Sequence, residues 1–207
     1  MRKGTWGDGL VMVLLVAVIV IGRLGSDVPN FAPVAAAALF AGFFLPRRWL
    51  AAPVPLVGMI LSDAVLGGYE WRLMLVVYAA LCLPVVWGPA MRRVGRHARR
   101  QREQRPTWLG SVGYGVLRLG ACALACSITF FVITNFAVWL FGNWYPRTLP
   151  GLLSCYAAGV PFFRYTLLSD FSYSGLFFGT YALARVLVAA RRPIPQRSTA
   201  PLPADCD

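Results

Sequence analysis

Histidine and lysine occur once each, as His97 and Lys3, and only eight of 207 residues are acidic. A single histidine, placed in the most basic stretch of the chain, excludes a histidine-dependent triad or a multi-histidine metal site within an apolar segment. With Lys3 as the only lysine, no GxxxxGK[ST] phosphate loop can be written. The chain is therefore not itself a Walker-type ATPase, and any energy input has to come from another protein. The cysteines, Cys82, Cys122, Cys126, Cys155 and Cys206, lack CxxC spacing, which argues against both a zinc site and a secreted disulfide framework. They read as small buried apolar residues.

What is abundant is apolar surface. Hydrophobic residues make up 58% of the chain, and the mean hydropathy is +0.62. The expected solvent is lipid rather than water. A net charge of +12 would suggest nucleic acid in a soluble protein, but here the arginines lie between and just beyond apolar runs. The charge reports topology, with membrane lipids and not nucleic acid as the partner.

Six runs are long enough to be read as crossings of about 30 Å of hydrocarbon. They cover 9–25, 31–46, 50–68, 72–90, 109–137 and 167–190. The second is short, and a re-entrant segment is the alternative there. No small-residue cleavage signature follows the first run, which reads as a retained helix. Arg2 and Lys3, Arg47 and Arg48, the run from Arg92 to Arg105, and Arg191, Arg192 and Arg197 all fall on one side, which the positive-inside rule makes cytoplasmic. Both termini are then cytoplasmic. Pro150, Gly151, Gly159 and Pro161 disfavour a seventh crossing at 149–163, which reads as a helical cap at the outer surface. The fold class is an all-α polytopic transmembrane bundle over 1–192, with about six spans and a short outer surface helix. The proline-rich tail, 193–207, reads as disordered and cytoplasmic.

Small residues mark the contacts expected between helices in lipid. Ala35 to Ala38 with Ala41 and Gly42 form one such face, and Gly115, Gly120, Ala121 and Ala125 another. These faces serve the bundle itself or the docking of a membrane partner.

Ionisable residues inside spans cost of order 2.5–3.5 kcal/mol each and need a reason. Asp63 and Asp170 are two such residues, near the outer ends of the third and sixth spans. They share that side with Asn30, Asn135, Tyr145, Arg147 and Arg164. One account has this cluster binding a small molecule. The other has Asp170 and Ser169 capping the last helix while Asp63 pairs with an arginine. Aromatic residues crowd the same side, Trp139 among them, as an interfacial belt or as the walls of a concave site. Cys82, at mid-span, is a packing residue or a soft ligand for a metal such as cobalt.

The stretches NFAPVAAAALFAGFFLPRRWLAAPVPLVGMILSDAVLGG and TNFAVWLFGNWYPRTLPGLLSCYAAGVPFFRYTLLSD, with their motifs NFAP, LSD, TNF and YPRT, resemble an uncharacterised family of small bacterial membrane proteins. That family resembles, more distantly, the substrate-binding S-components of energy-coupling-factor vitamin transporters. The resemblance implies six helices in the inner membrane, cytoplasmic termini, and an outward-facing site capped at 26–30 and 143–166. It matches the family at Asn30, Asp63, Asn135, Arg147 and Asp170, and makes Cys82 a conceivable counterpart of the intramembrane cysteine of cobalamin-binding S-components.

The leading expectation is capture or uptake of a small micronutrient, without covalent chemistry or a resident cofactor. An energising membrane and ATPase module would dock on the Arg92–Arg105 loop and the small-residue faces. The rival is a scaffold or assembly subunit with no ligand. An intramembrane enzyme is a third reading, for which two carboxylates are present but no nucleophile at a known spacing.

Overall fold

In lipid, backbone polar groups have no partner except other backbone, and helices satisfy them within one segment. The computed structural model describes residues 6–104 and 108–191, and every regular element among them is an α-helix. In chain order these are α1 (Trp6–Leu24), α2 (Val34–Phe44), α3 (Arg48–Ala51), α4 (Pro53–Leu66), α5 (Trp71–Gln104), α6 (Trp108–Phe141) and α7 (Leu149–Ala190). Ala52, between α3 and α4, keeps helical dihedrals, and the interruption falls at the missing N–H of Pro53. The two make one rod, so the bundle has six apolar helices. Five are long and apolar enough to cross a membrane. The expected all-α transmembrane bundle is the observed architecture. Arg192, the tail at 193–207 with Arg197 and Cys206, and the N-terminal Arg2 and Lys3 lie outside the described residues.

Three elements differ from their expected form. The run at 31–46 is helical only over the 11 residues of α2, about 16 Å at 1.5 Å per residue, half the hydrocarbon thickness. Pro33 sits at its N-cap, and Leu45, preceding Pro46, is extended as residues before proline tend to be. The fourth span does not stop at 90 but continues as α5 through the basic run to Gln104. Residues 149–163 are helical as expected, yet they run directly into the sixth span as α7, 42 residues long. Pro150 occupies the first turn, where no N–H is needed, and the Thr148 side chain caps the helix by accepting from the Gly151 amide. Pro161 alone interrupts the ladder.

The short helix is the centre of the bundle. Val34 through Gly42 are all buried, and α2 packs chiefly on α5, then on α7, α4 and α1. A helix apolar on every side belongs in such a place. Its approach to α5 is backbone on backbone: a Cβ added to Gly88 would overlap the Gly42 backbone and the Phe43 amide, and one added to Gly42 would overlap the Val85 carbonyl. Beside it, α1 lies on α4, with fully buried Ile19 over Gly58, where a Cβ would come within 2.6 Å of the isoleucine methyl. In the second expected small-residue face, Ala121 is exposed and Ala125 half-buried; among the described residues a Cβ at Gly115 would meet nothing, and one at Gly120 would meet Phe171.

The bundle has two chemically distinct ends. The α2–α3 connection carries Arg47 and Arg48, and the basic extension of α5 lies at the same end. The α1–α2, α4–α5 and α6–α7 connections form the other, hereafter the capped end. Because both backbones would have to part, Gly88→Leu is expected to destabilise the bundle by about 3 kcal/mol or more. Gly113→Ala, whose methyl would meet nothing among the described residues, should stay within about 0.5 kcal/mol of the parent. Denaturant unfolding in detergent, followed by circular dichroism, measures both.

Candidate functional site

At the capped end the helices enclose a cavity of about 560 Å³, within the range of small-molecule sites. Each wall is one face of a helix. α6 contributes Phe130, Phe131, Thr134, Asn135 and Val138, and α7 contributes Gly159, Phe162, Phe163, Thr166 and Asp170, both at helical spacing. Leu73, Val77 and Leu81 of α5 and Met59 of α4 form the remaining sides. The rim is the exposed loop Asp27–Asn30, and the floor is buried, with Val34 and Ala35 of α2 beside Asp170.

The distinctive motifs build this end of the molecule. In NFAP, Asn30 takes a positive φ of 60°, a conformation asparagine tolerates better than most residues, and so turns the chain inward. Phe31 lies on the cavity wall, and the Ala32 carbonyl accepts from Ser169 Oγ at 2.8 Å, tying the loop to α7. Pro33 closes against Gly22. In TNF, Thr134 and Asn135 donate to their own helix, to the Phe130 and Phe131 carbonyls at 2.8 Å each. In YPRT, the Pro146 carbonyl accepts from Trp139 Nε1 at 3.0 Å and from the Thr148 amide at 2.9 Å, while Thr148 caps α7. That motif is a turn.

In LSD, fully buried Ser62 bonds back to the Gly58 and Met59 carbonyls, and Asp63 forms an ion pair with Arg23 of α1. Tyr78 of α5 donates to the second oxygen of Asp63 at 2.8 Å. The other terminal nitrogen of Arg23 faces the Met59 sulfur. Helices α1, α4 and α5 are thus joined through one carboxylate. Tyr69, in the loop after α4, borders the same group. Its burial, then the Asp63 charge, push its hydroxyl above the usual range against the pull of Arg23, so it stays a protonated donor at neutral pH.

Of the eight residues expected to bind, Asn30, Asn135 and Asp170 reach the cavity wall. Asp63 stands behind the wall, with its partner Arg23 in front. Trp139 holds the α6–α7 turn, Tyr145 is half-buried and Arg147 exposed in it, and Arg164 turns away from the cavity to stack on Tyr165. Asp63 does pair with an arginine. The capping account of Asp170 and Ser169 is corrected: α7 begins far upstream, and both lie deep in its interior. Asp170 is 3% exposed and accepts from Ser127 Oγ of α6 at 2.6 Å. Cys82 is half-buried, and no group of three metal-ligating residues occurs among the described residues. The side chains of His97 and of the Arg92–Arg105 run lie outside them.

Sequence reasoning missed Arg23, Tyr78 and Ser127. The first carried a signal, as an arginine within the last turn of an apolar span on the side poor in arginine. The other two are ordinary span residues. Removing one partner of a buried pair leaves the other charge unpaired, so Asp63→Asn should lower unfolding stability by about 3–5 kcal/mol. The double variant Arg23→Leu, Asp63→Leu should recover most of that loss, and Tyr78→Phe should cost about 1 kcal/mol. Unfolding in detergent with each variant measures the series.

No curated protein and no solved structure matches the chain. A match does exist at the level of families, over residues 5–193, and by it the chain belongs to the family of unknown function DUF6580.

Proposed function

We propose that this protein captures a small molecule from outside the cell in the cavity at its capped end, as the membrane-embedded binding component of an uptake system. The single observation that carries the reading is that cavity, of about 560 Å³, walled by aromatic side chains with a buried carboxylate at its floor. An apolar site with a few converging polar groups is the usual form of a small-molecule site. The arginine distribution supports an orientation with both termini in the cytoplasm and the cavity facing out, in the inner membrane of a bacterium. Six apolar helices with an outward site also suit an S-component-like role, with a micronutrient or vitamin as ligand and no covalent chemistry. Lacking a phosphate loop, such a protein would draw its energy from a separate ATPase module.

A second reading, a scaffold without a ligand, gains from the way Asp63 is spent on Arg23 and Tyr78. Native mass spectrometry of protein gently extracted from its own membranes separates the two. On the capture reading, a reproducible small-molecule adduct accompanies the parent. It is lost in Thr134→Trp, which fills the cavity, and in Asn135→Ala, but kept in Phe136→Ala, on the outward side of the same helix. Folded protein that is repeatedly free of any adduct would transfer the weight to the scaffold.

A further inference from the structure

Several polar groups on the cavity wall are already engaged within the protein. Thr134, Asn135 and Thr166 each spend a donor on a carbonyl one turn back in their own helices, at 2.8, 2.8 and 3.4 Å. The threonine hydroxyls keep acceptor capacity, and Asn135 keeps a second N–H, with its Oδ1 lying against Gly159. Arg23 lies on the wall, but its terminal nitrogens engage Asp63 and Met59, and its Nε is sealed without a partner. Its charge is therefore offset by Asp63, while each terminal nitrogen keeps a second N–H.

Asp170 is not offset. Ser127 donates to Oδ2 at 2.6 Å, but among the described residues nothing donates to Oδ1 and no cation forms an ion pair with the carboxylate. A carboxylate 3% exposed in a membrane helix, with one oxygen unpaired on a cavity wall, is costly until a donor arrives. Asp27 on the rim adds a second carboxylate that has no ion pair among the described residues. The cavity is thus acidic inside a chain of net charge +12. Phe130, Phe131 and Phe163, aromatic rings to which a cation is attracted, line the same space.

We propose that the ligand of this cavity is a compact organic cation, an amine or amidine on a flat apolar body, whose N–H group bonds Asp170 Oδ1 while the body lies among the phenylalanines. The inference rests on the capture reading and names the ligand's chemical class. The positive end of α2 at the same floor would instead favour an anion, and the test includes that alternative.

Isothermal titration calorimetry of the detergent-purified full chain, with three probes of one shape, decides it: 2-naphthylmethylammonium, 2-naphthylmethanol and 2-naphthoate. The ammonium probe is expected to bind at least about tenfold more tightly than the alcohol, and more tightly still than the carboxylate. Asp170→Asn should weaken the ammonium probe by about tenfold and leave the alcohol within about twofold, whereas Asp27→Asn, at the solvated rim, should change the ammonium affinity by only about twofold. If Asp170→Asn does not fold, the order of the three probes on the parent protein decides alone. Alcohol or carboxylate binding as tightly as the ammonium probe overturns the charge assignment and leaves capture standing. If folded protein binds none of the three at millimolar concentration, both fall.

Discussion

A helix too short to cross the membrane can persist inside it only if other protein surrounds it, because its two ends expose unpaired backbone groups at a depth where water is absent. That requirement governs the bundle. α2 has lipid on no side: α5, α7, α4 and α1 enclose it, and the contact with α5 is close enough that both chains need glycine, at Gly42 and Gly88. Since α2 ends halfway, the space above its first turn is not filled by helix. The rim loop, α6 and α7 fold over this space, and the cavity is what remains. The truncated helix and the cavity are one feature.

Asp63 and Asp170 have opposite fates, and their surroundings explain why. Asp63 sits where α1, α4 and α5 converge, and an arginine and a tyrosine consume both of its oxygens. Such a cluster fixes the register of three helices more surely than it adds net stability, since desolvation takes back much of the Coulomb gain. Asp170 sits where α6 and α7 part around the cavity, and among the described residues only a serine answers it. The contrast separates a carboxylate that organises the protein from one left available to something else.

Much of this was legible in the chain, and what was not has physical causes. Apolar length revealed the helices, and the alanine run with Gly42 marked the face that became the core of the bundle. Prolines misled in both directions. Pro150 and Pro161 suggested a break before the last span, but the first needs no N–H where it sits and the second costs one bond that the flanking turns outlast. Pro33 and Pro46, in contrast, did bound a helix. At the site, one dimension of sequence showed that Asn30, Asn135 and Asp170 lie near the same end of the bundle, but not which way each side points. Arg147 and Arg164 share that level and face elsewhere. Partnership across helices, such as Arg23 with Asp63 or Ser127 with Asp170, depends on rotation about each helix axis. Weak amphipathicity leaves that rotation unwritten when lipid and protein interior are equally apolar.

The one gap in the α7 ladder lies beside the cavity, with Gly159 to one side and Phe162 to the other. Without the Pro161 N–H, the Ala157 carbonyl has lost its intrahelical donor, which makes this the least stiff point of an otherwise continuous rod. From there to Leu149 is a lever of about 18 Å, so a bend of roughly 10° displaces the turn after α6 by about 3 Å. The end of α6 travels with it, coupled through the Tyr156 hydroxyl on the Val132 carbonyl and the Cys155 thiol on that of Asn135. The Ser127–Asp170 pair lies beyond the fulcrum and stays in place. The upper half of the cavity can thus change its width while the floor keeps its chemistry.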